Sequence, residues 1–197
     1  RGCGCALERW EGFAVCAEAV ASAGAALSFG VNGHDPWGRF LWEAHGLLPR
    51  TFDCLNTNKP EDFESVFSPL CIGTPPSPVL KANFTTLSVL LEGAPNASAL
   101  VKMDIQAAEF DVLMRIQAVD WARISSLHVV YHLDFGDCLE PQQWESIKAV
   151  FERVQQNLVV VDSTAIYYAP DCVLGGLKAP KRLSVNYVQE ALCQGQA

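Results

Sequence analysis

Short apolar runs and segments with helical spacing follow one another along this chain. Runs of about five apolar residues predict buried strands, and apolar residues that recur every three or four positions predict amphipathic helices. The predicted strands lie at 25–29, within 49–55, within 63–72, and at 100–103, 127–133, 158–161 and 183–188. The predicted helices lie at 37–45, 84–91, 107–116 and 140–156. This alternation indicates an α/β fold with a mainly parallel sheet.

The last part of the chain departs from this alternation. The helix at 140–156 is the most clearly amphipathic, with Trp144, Ile147 and Phe151 at helical spacing. The strand at 158–161, with 165–168 as its candidate continuation, is followed by the strand at 183–188 with no helix between them. Neighbouring strands joined without a crossover pair antiparallel. We therefore expect an antiparallel hairpin at one edge of the sheet.

Length, composition and charge limit the classes of protein to which this chain can belong. The 197 residues suffice for one domain with a proper core, so we expect a single domain over 1–197 with an N-terminal extension at 1–20. Half of the residues are hydrophobic and 18% are charged, as in a compact globular protein. The net charge of -8 argues against nucleic acid as a partner, because an acidic surface repels phosphate backbones. The longest apolar stretch, 13–31, is interrupted by polar residues, so no transmembrane segment is expected.

The cysteines indicate an oxidising compartment. There are eight, at Cys3, Cys5, Cys16, Cys54, Cys71, Cys138, Cys172 and Cys193. Their number is even and none of their spacings is that of a zinc pair, so we expect disulfides, one of them tethering the N-terminal extension, and no metal site.

Other features bear on the same compartment. The sequons at Asn83 and Asn96, together with the cysteines, favour a glycoprotein of the secretory pathway lumen or the extracellular space. The chain begins with Arg1 rather than Met, so we expect that a targeting segment has been removed. In the alternative, the cysteines are buried small hydrophobes of a reduced protein in an organelle or a cytoplasmic complex.

Two features early in the predicted sheet favour a nucleotide-like ligand. The first strand leads into the turn Ser28-Phe-Gly-Val-Asn-Gly33, whose glycines would let backbone N–H groups approach a ligand closely. Asp53 ends the next strand about 20 residues further on, the position from which a carboxylate binds ribose hydroxyls. The structural alternatives are a plain glycine turn and an aspartate that caps a helix or a turn.

Acidic residues and histidines mark the ends of two later strands. Asp104 follows the strand at 100–103, and Glu109 lies on the first turn of the next predicted helix. His128 and His132 are four residues apart on one strand, so alternation puts them on the same face, with His132 nearer the carboxyl end. A histidine there is a candidate general base near neutral pH. Alternatively, Asp104 caps the helix, Glu109 is solvated and His132 belongs to the core.

In this order the motifs resemble those of the FkbM-like group of class I S-adenosylmethionine-dependent methyltransferases. Val-Lys-Met-Asp-Ile-Gln-Ala-Ala-Glu-Phe at 101–110 is similar to the group's L-K-M-D-I-E-G-A-E-W, and its Lys-Met-Asp-Ile part is the specific one. The segments at 28–32, 35–38 and 51–54 resemble S-F-G-I-N-N-D-W-S-F followed by an F-D strand end. The resemblance spans roughly residues 16–187.

The resemblance implies a three-layer α/β/α sandwich with a mainly parallel, Rossmann-like sheet closed by an antiparallel hairpin. It implies S-adenosylmethionine as the cofactor, bound by Ser28, Gly30, Asn32, Gly33, Asp53 and Asp104. It implies methyl transfer to an oxygen, with a sugar, glycan or other small-molecule hydroxyl as the acceptor. The hydroxyl would need a general base, for which Glu109 and His132 are the candidate catalytic residues.

The chain departs from the group's motifs at three positions. Gln106 and Ala107 stand where the group has Glu and Gly, and Ser28 occupies the place of the acidic residue that commonly precedes the glycine loop. Since an uncharged Gln106 cannot act as a base, the alternative function is a catalytically degenerate methyltransferase fold that serves as a structural or accessory subunit of a larger assembly. Trp10, Trp37 and Trp42 would then be exposed contact residues for protein partners. A nicotinamide-dependent dehydrogenase is disfavoured because the first turn is not Gly-x-Gly-x-x-Gly.

Overall fold

The computed structural model describes residues 3–75, 82–133, 141–174 and 177–193. The strands are β1 (Leu7–Trp10), β2 (Phe13–Cys16), β3 (Ala25–Phe29), β4 (Arg50–Phe52), β5 (Val66–Ser68), β6 (Cys71–Ile72), β7 (Phe84–Thr85), β8 (Ala99–Met103), β9 (Ile124–His132), β10 (Val159–Leu174) and β11 (Leu177–Val188). The helices are α1 (Ala17–Ala21), α2 (Pro36–His45), α3 (Leu87–Leu91), α4 (Glu109–Arg115), α5 (Ala118–Trp121) and α6 (Pro141–Gln155), followed by a 3-10 turn at Glu190–Leu192.

Seven strands form one sheet in the order β10-β11-β9-β8-β3-β4-β5. Within this sheet the five neighbouring strands β9, β8, β3, β4 and β5 pair in parallel. β11 lies between β9 and β10 and is antiparallel to both. This confirms the predicted α/β class and the antiparallel hairpin that closes the sheet. β1 with β2 and β6 with β7 form two further small sheets.

The strand order reverses direction at β3. The chain leaves β3 for β4 and β5 on one side, and later returns to β8 and β9 on the other side. In open α/β sheets, the crevice outside the carboxyl ends of the strands at such a switch point is where ligands bind. Here that crevice lies beyond Phe29 and Met103, which are in register as the last residues of β3 and β8.

Apolar side chains cover both faces of the sheet, as alternation along buried strands requires. The larger cluster joins Leu27, Phe29, Val101 and Met103 to apolar residues of α3, α4 and α6. The second cluster joins Ala26, Leu100 and Val188 to α1, α2 and the β1–β2 hairpin. The sheet is thus the middle of three layers.

Three disulfides join six of the eight cysteines. Cys3–Cys193 and Cys5–Cys16 fasten the segment that carries the β1–β2 hairpin, and Cys54–Cys71 joins the end of β4 to β6. The expectation of disulfides, including one that tethers the N-terminal extension, is confirmed for these cysteines. Cys138 and the side chain of Cys172 lie outside what the structure describes.

Several predicted bounds shift in the structure. Residues 63–72 hold two short strands rather than one, and only Leu87–Leu91 of the predicted 84–91 helix is helical. The last two strands are much longer than predicted, since their cross-strand pairing extends the hairpin as far as Leu174 and Leu177. The β1–β2 hairpin was not predicted, because it lies in and before an apolar stretch that has no alternation of its own.

The prediction that three tryptophans are exposed is wrong for Trp37. Its side chain is only 2% exposed and packs in the same cluster as Leu41, one helical turn later on α2. Trp10 is 38% exposed and stacks on Phe40, while Trp42 is half-buried. Among the described helices, none has the length and the apolar content that a bilayer-spanning helix requires.

Candidate functional site

A cavity of about 1080 Å³ opens at the carboxyl ends of β3, β4 and β8. This volume suits a ligand of cofactor size. Of the predicted site residues, Gly30, Asn32, Asp53 and Asp104 line the cavity. Gly33 lines a shallower polar depression beside it, and Ser28 is fully buried beneath the turn.

Gly30 is required by a close approach between two strand ends. Its φ is +75°, and a Cβ atom at this position would lie 1.8 Å from the carbonyl oxygen of Asp104. The Asp104 N–H in turn donates to the Phe29 carbonyl at 3.1 Å. The absence of a side chain at Gly30 therefore lets β3 and β8 end side by side at the cavity floor.

Asp53 joins two loops through its carboxylate. Its Oδ2 accepts a hydrogen bond from the Asn32 N–H at 2.8 Å, and its Oδ1 accepts from the N–H groups of Leu55 and Asn56, both at 2.9 Å. A carboxylate offers about four acceptor positions. Three are engaged, so about one acceptor position remains for a ligand hydroxyl. The turn role and the ligand role proposed for Asp53 are compatible.

Asn56 reinforces the same link and was not singled out by the sequence. Its Nδ2 donates to the Asn32 Oδ1 at 2.8 Å, and its Oδ1 accepts from the Asn58 N–H at 3.0 Å. Asn32 itself has a φ of +48°, a left-handed conformation that asparagine tolerates better than most residues. The first turn and the Asp53 loop are thereby held as one wall of the cavity.

His132 lies between two carboxylates. Its Nδ1 is 3.2 Å from the Glu109 Oε1, and its Nε2 is 3.3 Å from the Asp104 Oδ1. The backbone N–H of His132 also donates to the Glu109 Oε1, at 2.7 Å. The Nε2 has an ion-pair distance to Asp104 but no hydrogen bond among the residues described. The ring is therefore oriented by Glu109 and presents Nε2 towards Asp104.

The surroundings of His132 raise its pKa above the ordinary value. Burial lowers the pKa, but the hydrogen bond and the negative charge of Glu109, with the charge of Asp104, outweigh it. Arg182, whose backbone is opposite His132 on β11, opposes this increase. His132 therefore keeps its proton to a higher pH than an ordinary histidine does.

The three residues differ in their access to the cavity. The side chain of Asp104 is 32% exposed and lines the cavity wall, whereas the side chains of Glu109 and His132 are 0% and 4% exposed. Asp104 does not cap the helix α4, which begins at Glu109 with Ala108 as its N-cap residue and without a side-chain capping hydrogen bond. Asp104 therefore faces the ligand space, with His132 and Glu109 behind it.

His128 has different surroundings from His132. Its Nδ1 contacts the Asn186 Oδ1, its Nε2 lies 3.2 Å from the Ser184 Oγ, and its ring packs on Phe13. Burial lowers its pKa to about 4, and the neighbouring positive charge of Lys102 acts in the same direction. His128 is accordingly neutral at physiological pH and belongs to the packed interior.

Gln106 and Ala107 adopt left-handed backbone conformations one after the other. Their φ angles are +56° and +73°, and Gln106 lines the cavity. Side chains with a Cβ are strained in this region, and glycine is not. The chain thus keeps a turn suited to glycine at Ala107 without having glycine there.

Comparisons with known proteins give distant structural likenesses. No family model matches the chain, and no curated protein matches it. A candidate hemolysin from Lactococcus lactis matches with a TM-score of 0.40 at 10% identity, over 85% of this chain and 79% of that one. A 16S rRNA (adenine(1408)-N(1))-methyltransferase from Catenulisporales acidiphilia matches with a TM-score of 0.38 at 16% identity, over 88% and 91%. The fold class rests on the strand order, and these low TM-scores carry no inference about activity.

Proposed function

We propose that the chain is an S-adenosylmethionine-dependent methyltransferase that acts on a hydroxyl oxygen of a sugar or another small molecule. The observation that supports this proposal most is the placement of Gly30, Asn32, Asp53 and Asp104 around one cavity at the switch point of the sheet. Its volume of about 1080 Å³ leaves room for an acceptor beside a cofactor. The motif resemblance to the FkbM-like group agrees with this placement.

The residues present fit the proposed cofactor at its nucleoside end. Asp53 keeps about one acceptor position for a ribose hydroxyl, and its loop is fixed to the first turn by the hydrogen bond from Asn32. The partly exposed apolar residues of the lining, Leu70 and Ile105, offer surface for an adenine ring. When bound, the cofactor would supply an electrophilic methyl group on a sulfonium.

The remaining chemistry falls to the Asp104 side of the cavity. The Asp104 carboxylate would orient the acceptor hydroxyl and receive its proton. That proton would pass to the Nε2 of His132, 3.3 Å away, and Glu109 would stabilise the resulting imidazolium. Glu109 and His132 thus keep catalytic roles in the proposal, acting through Asp104, which is the exposed member of the group.

Charge and the cysteines support the proposed acceptor class and compartment. A net charge of -8 favours a neutral small molecule or glycan over nucleic acid. The disulfides support the secretory pathway lumen or the extracellular space over an organelle or cytoplasmic complex. Asn83 and Asn96 are both exposed, as N-glycan acceptors must be, which supports a glycoprotein.

Calorimetric titration with S-adenosylmethionine and S-adenosylhomocysteine tests the cofactor site. We expect binding by the wild type, weakened by about tenfold or more in Asp53→Asn because the neutral amide loses charge-assisted contacts. Glu43→Gln is the matched control, since Glu43 pairs with Arg39 on α2 outside the cavity. A folded wild type that binds neither compound would refute the proposal.

A radiolabelled methyl-transfer assay then distinguishes the acceptors. Small hydroxyl compounds and glycans should accept label, and His132→Gln should abolish the transfer while cofactor still binds. Label transferred to RNA instead would contradict the proposed acceptor class.

The second candidate function is a catalytically inactive member of the fold that serves as an accessory subunit. The left-handed Gln106 and the near-complete burial of both candidate catalytic residues favour it. The open cavity and the burial of Trp37 count against it, because a degenerate cleft would be filled and its tryptophans would be available for contacts. Cofactor binding with no transfer to any acceptor would support this second candidate.

A further inference from the structure

Lys102 is a buried cation beneath the glycine turn. Its side chain is 3% exposed, and its Nζ donates to the Gly30 carbonyl at 3.2 Å and to the Phe29 carbonyl at 3.4 Å. In the part of the chain that the structure describes, no carboxylate lies within ion-pair distance of this ammonium. Lysines are almost never buried in this way without a counter-charge, because desolvation of the ammonium is costly.

The neighbours of Lys102 across the sheet do not supply the missing charge. Ser28 is in register with it on β3 and His128 on β9, and these side chains share its face of the sheet. His128 is neutral, with a pKa of about 4, and its ring contacts Asn186 and Ser184. Among the described residues, the carbonyl oxygens of Phe29 and Gly30 are therefore the hydrogen-bond acceptors that compensate the ammonium.

We infer that Lys102 is a positioning residue that holds the glycine turn in the shape that receives a ligand. By drawing the carbonyls of Phe29 and Gly30 inward, its ammonium fixes the peptide planes that precede Asn32. The Asn32 N–H is then directed to the Asp53 Oδ2, 2.8 Å away, and this bond locks the glycine turn to the Asp53 loop. The consequence for cofactor affinity rests on the proposed function, whereas the holding of the turn does not.

Two lysine variants separate this role from a general loss of charge. Lys102→Met keeps the length and the apolar stem of the side chain and removes the ammonium. Lys148→Met is the matched control, because Lys148 is 62% exposed on α6 and lies 3.9 Å from Glu152. We expect Lys102→Met to accelerate hydrogen exchange of the Gly30 and Asn32 amides by about tenfold or more relative to amides of β9, with no change in Lys148→Met.

The ligand readout uses S-adenosylhomocysteine as the probe. Its dissociation constant should rise by about tenfold or more in Lys102→Met, and Lys102→Arg should recover part of the loss because it restores a buried donor with a charge. Unchanged exchange at Gly30 and Asn32 in a folded Lys102→Met protein would overturn the inference. Absence of binding by the wild type would refute the proposed function, and the exchange measurement would still decide the role of Lys102.

A measurement on the wild type covers the case in which Lys102→Met does not fold. If the two carbonyls hold the Lys102 ammonium, its protons should exchange slowly with water and show nuclear Overhauser contacts to Phe29 and Gly30. An ammonium in fast exchange with water, without those contacts, would overturn the inference as well.

Discussion

Glu109 and His132 are joined twice through a single atom. The Glu109 Oε1 accepts a hydrogen bond from the backbone N–H of His132 at 2.7 Å and lies 3.2 Å from the Nδ1 of the same residue. The first contact fixes the carboxylate against the end of β9, and the second orients the imidazole ring. The start of α4 is thereby coupled to the end of β9 at the back of the cavity.

Replacing Glu109 by glutamine should lower the pKa of His132. The hydrogen bond and charge of Glu109 are the main causes that raise this pKa against burial, and the amide removes the charge. Asp111→Asn is the control, since Asp111 pairs with Arg115 elsewhere on the same helix. Titration of the imidazole signals by NMR measures the effect, and a His132 pKa that is the same in both variants would contradict the assigned coupling.

The same raised pKa has a consequence for stability. A histidine whose pKa is higher in the folded state contributes stability that is complete below its unfolded value of about 6.5 and is lost as pH rises through the folded value. Wild type and His132→Gln should therefore differ most in unfolding free energy below about pH 6.5, and less above the raised pKa. Urea unfolding across this range measures the difference; a gap that widens with pH would have the wrong sign.

His128 should affect the pH dependence of the unfolding free energy in the opposite direction to His132. Its pKa is lowered to about 4 by burial, so the folded state resists its protonation. Its contribution is present above about pH 6.5 and is lost as pH falls towards 4, by roughly 1 kcal/mol per pH unit. His128→Asn should flatten this acid decline in unfolding experiments, provided that the variant folds. An identical acid decline in wild type and variant would show that another group causes it.

Ala107→Gly should stabilise the protein. A residue with a Cβ costs about 1–2 kcal/mol in the left-handed region, and glycine loses part of that gain through its greater freedom when unfolded, so the net gain should be up to about 1 kcal/mol. Ala118→Gly is the control: Ala118 is exposed at the start of α5, where glycine should destabilise. Chemical denaturation measures both, and a loss of stability in Ala107→Gly would contradict the strain assigned to this turn.

The two disulfides of the N-terminal segment should differ in their contribution to stability. Cys3–Cys193 closes a separation of 190 residues and Cys5–Cys16 one of 11. Loop-closure entropy then gives about 5 kcal/mol for the first and about 3 kcal/mol for the second. Unfolding of the paired serine variants checks the order; an equal loss in both would indicate that chain entropy is not the cause.

The sequence predicted the parts of the fold that depend on local pattern. β3, β8 and α2 lie within about two residues of their predicted positions, because each carries its own apolar periodicity. Trp37 was placed wrongly although a signal existed, since Leu41 follows it at helical spacing on the same buried face. The 16-residue β10 could not be predicted in full because its length depends on pairing with β11 rather than on its own pattern.

The sequence indicated which strand ends lie at the cavity, but not the contacts that the side chains make there. Gly30, Asp53 and Asp104 were identified from their places after strands, and they do line the cavity. The three N–H groups that occupy Asp53 depend on loop conformation, which no spacing specifies. Lys102 was missed as well, although a lone lysine within an apolar strand is a signal that deserved a structural explanation.

The Cys3–Cys193 bond gives the chain an unusual response to force. Any tension applied to the segments that flank these two cysteines passes through one sulfur–sulfur link and bypasses the sheet between them. Hydrogen-bonded strands yield under pulling long before a covalent bond does. Stretched by its flanks, the oxidised protein should extend only as far as that link allows, and its cavity should keep its shape; chemical reduction would expose the same strands to the pull.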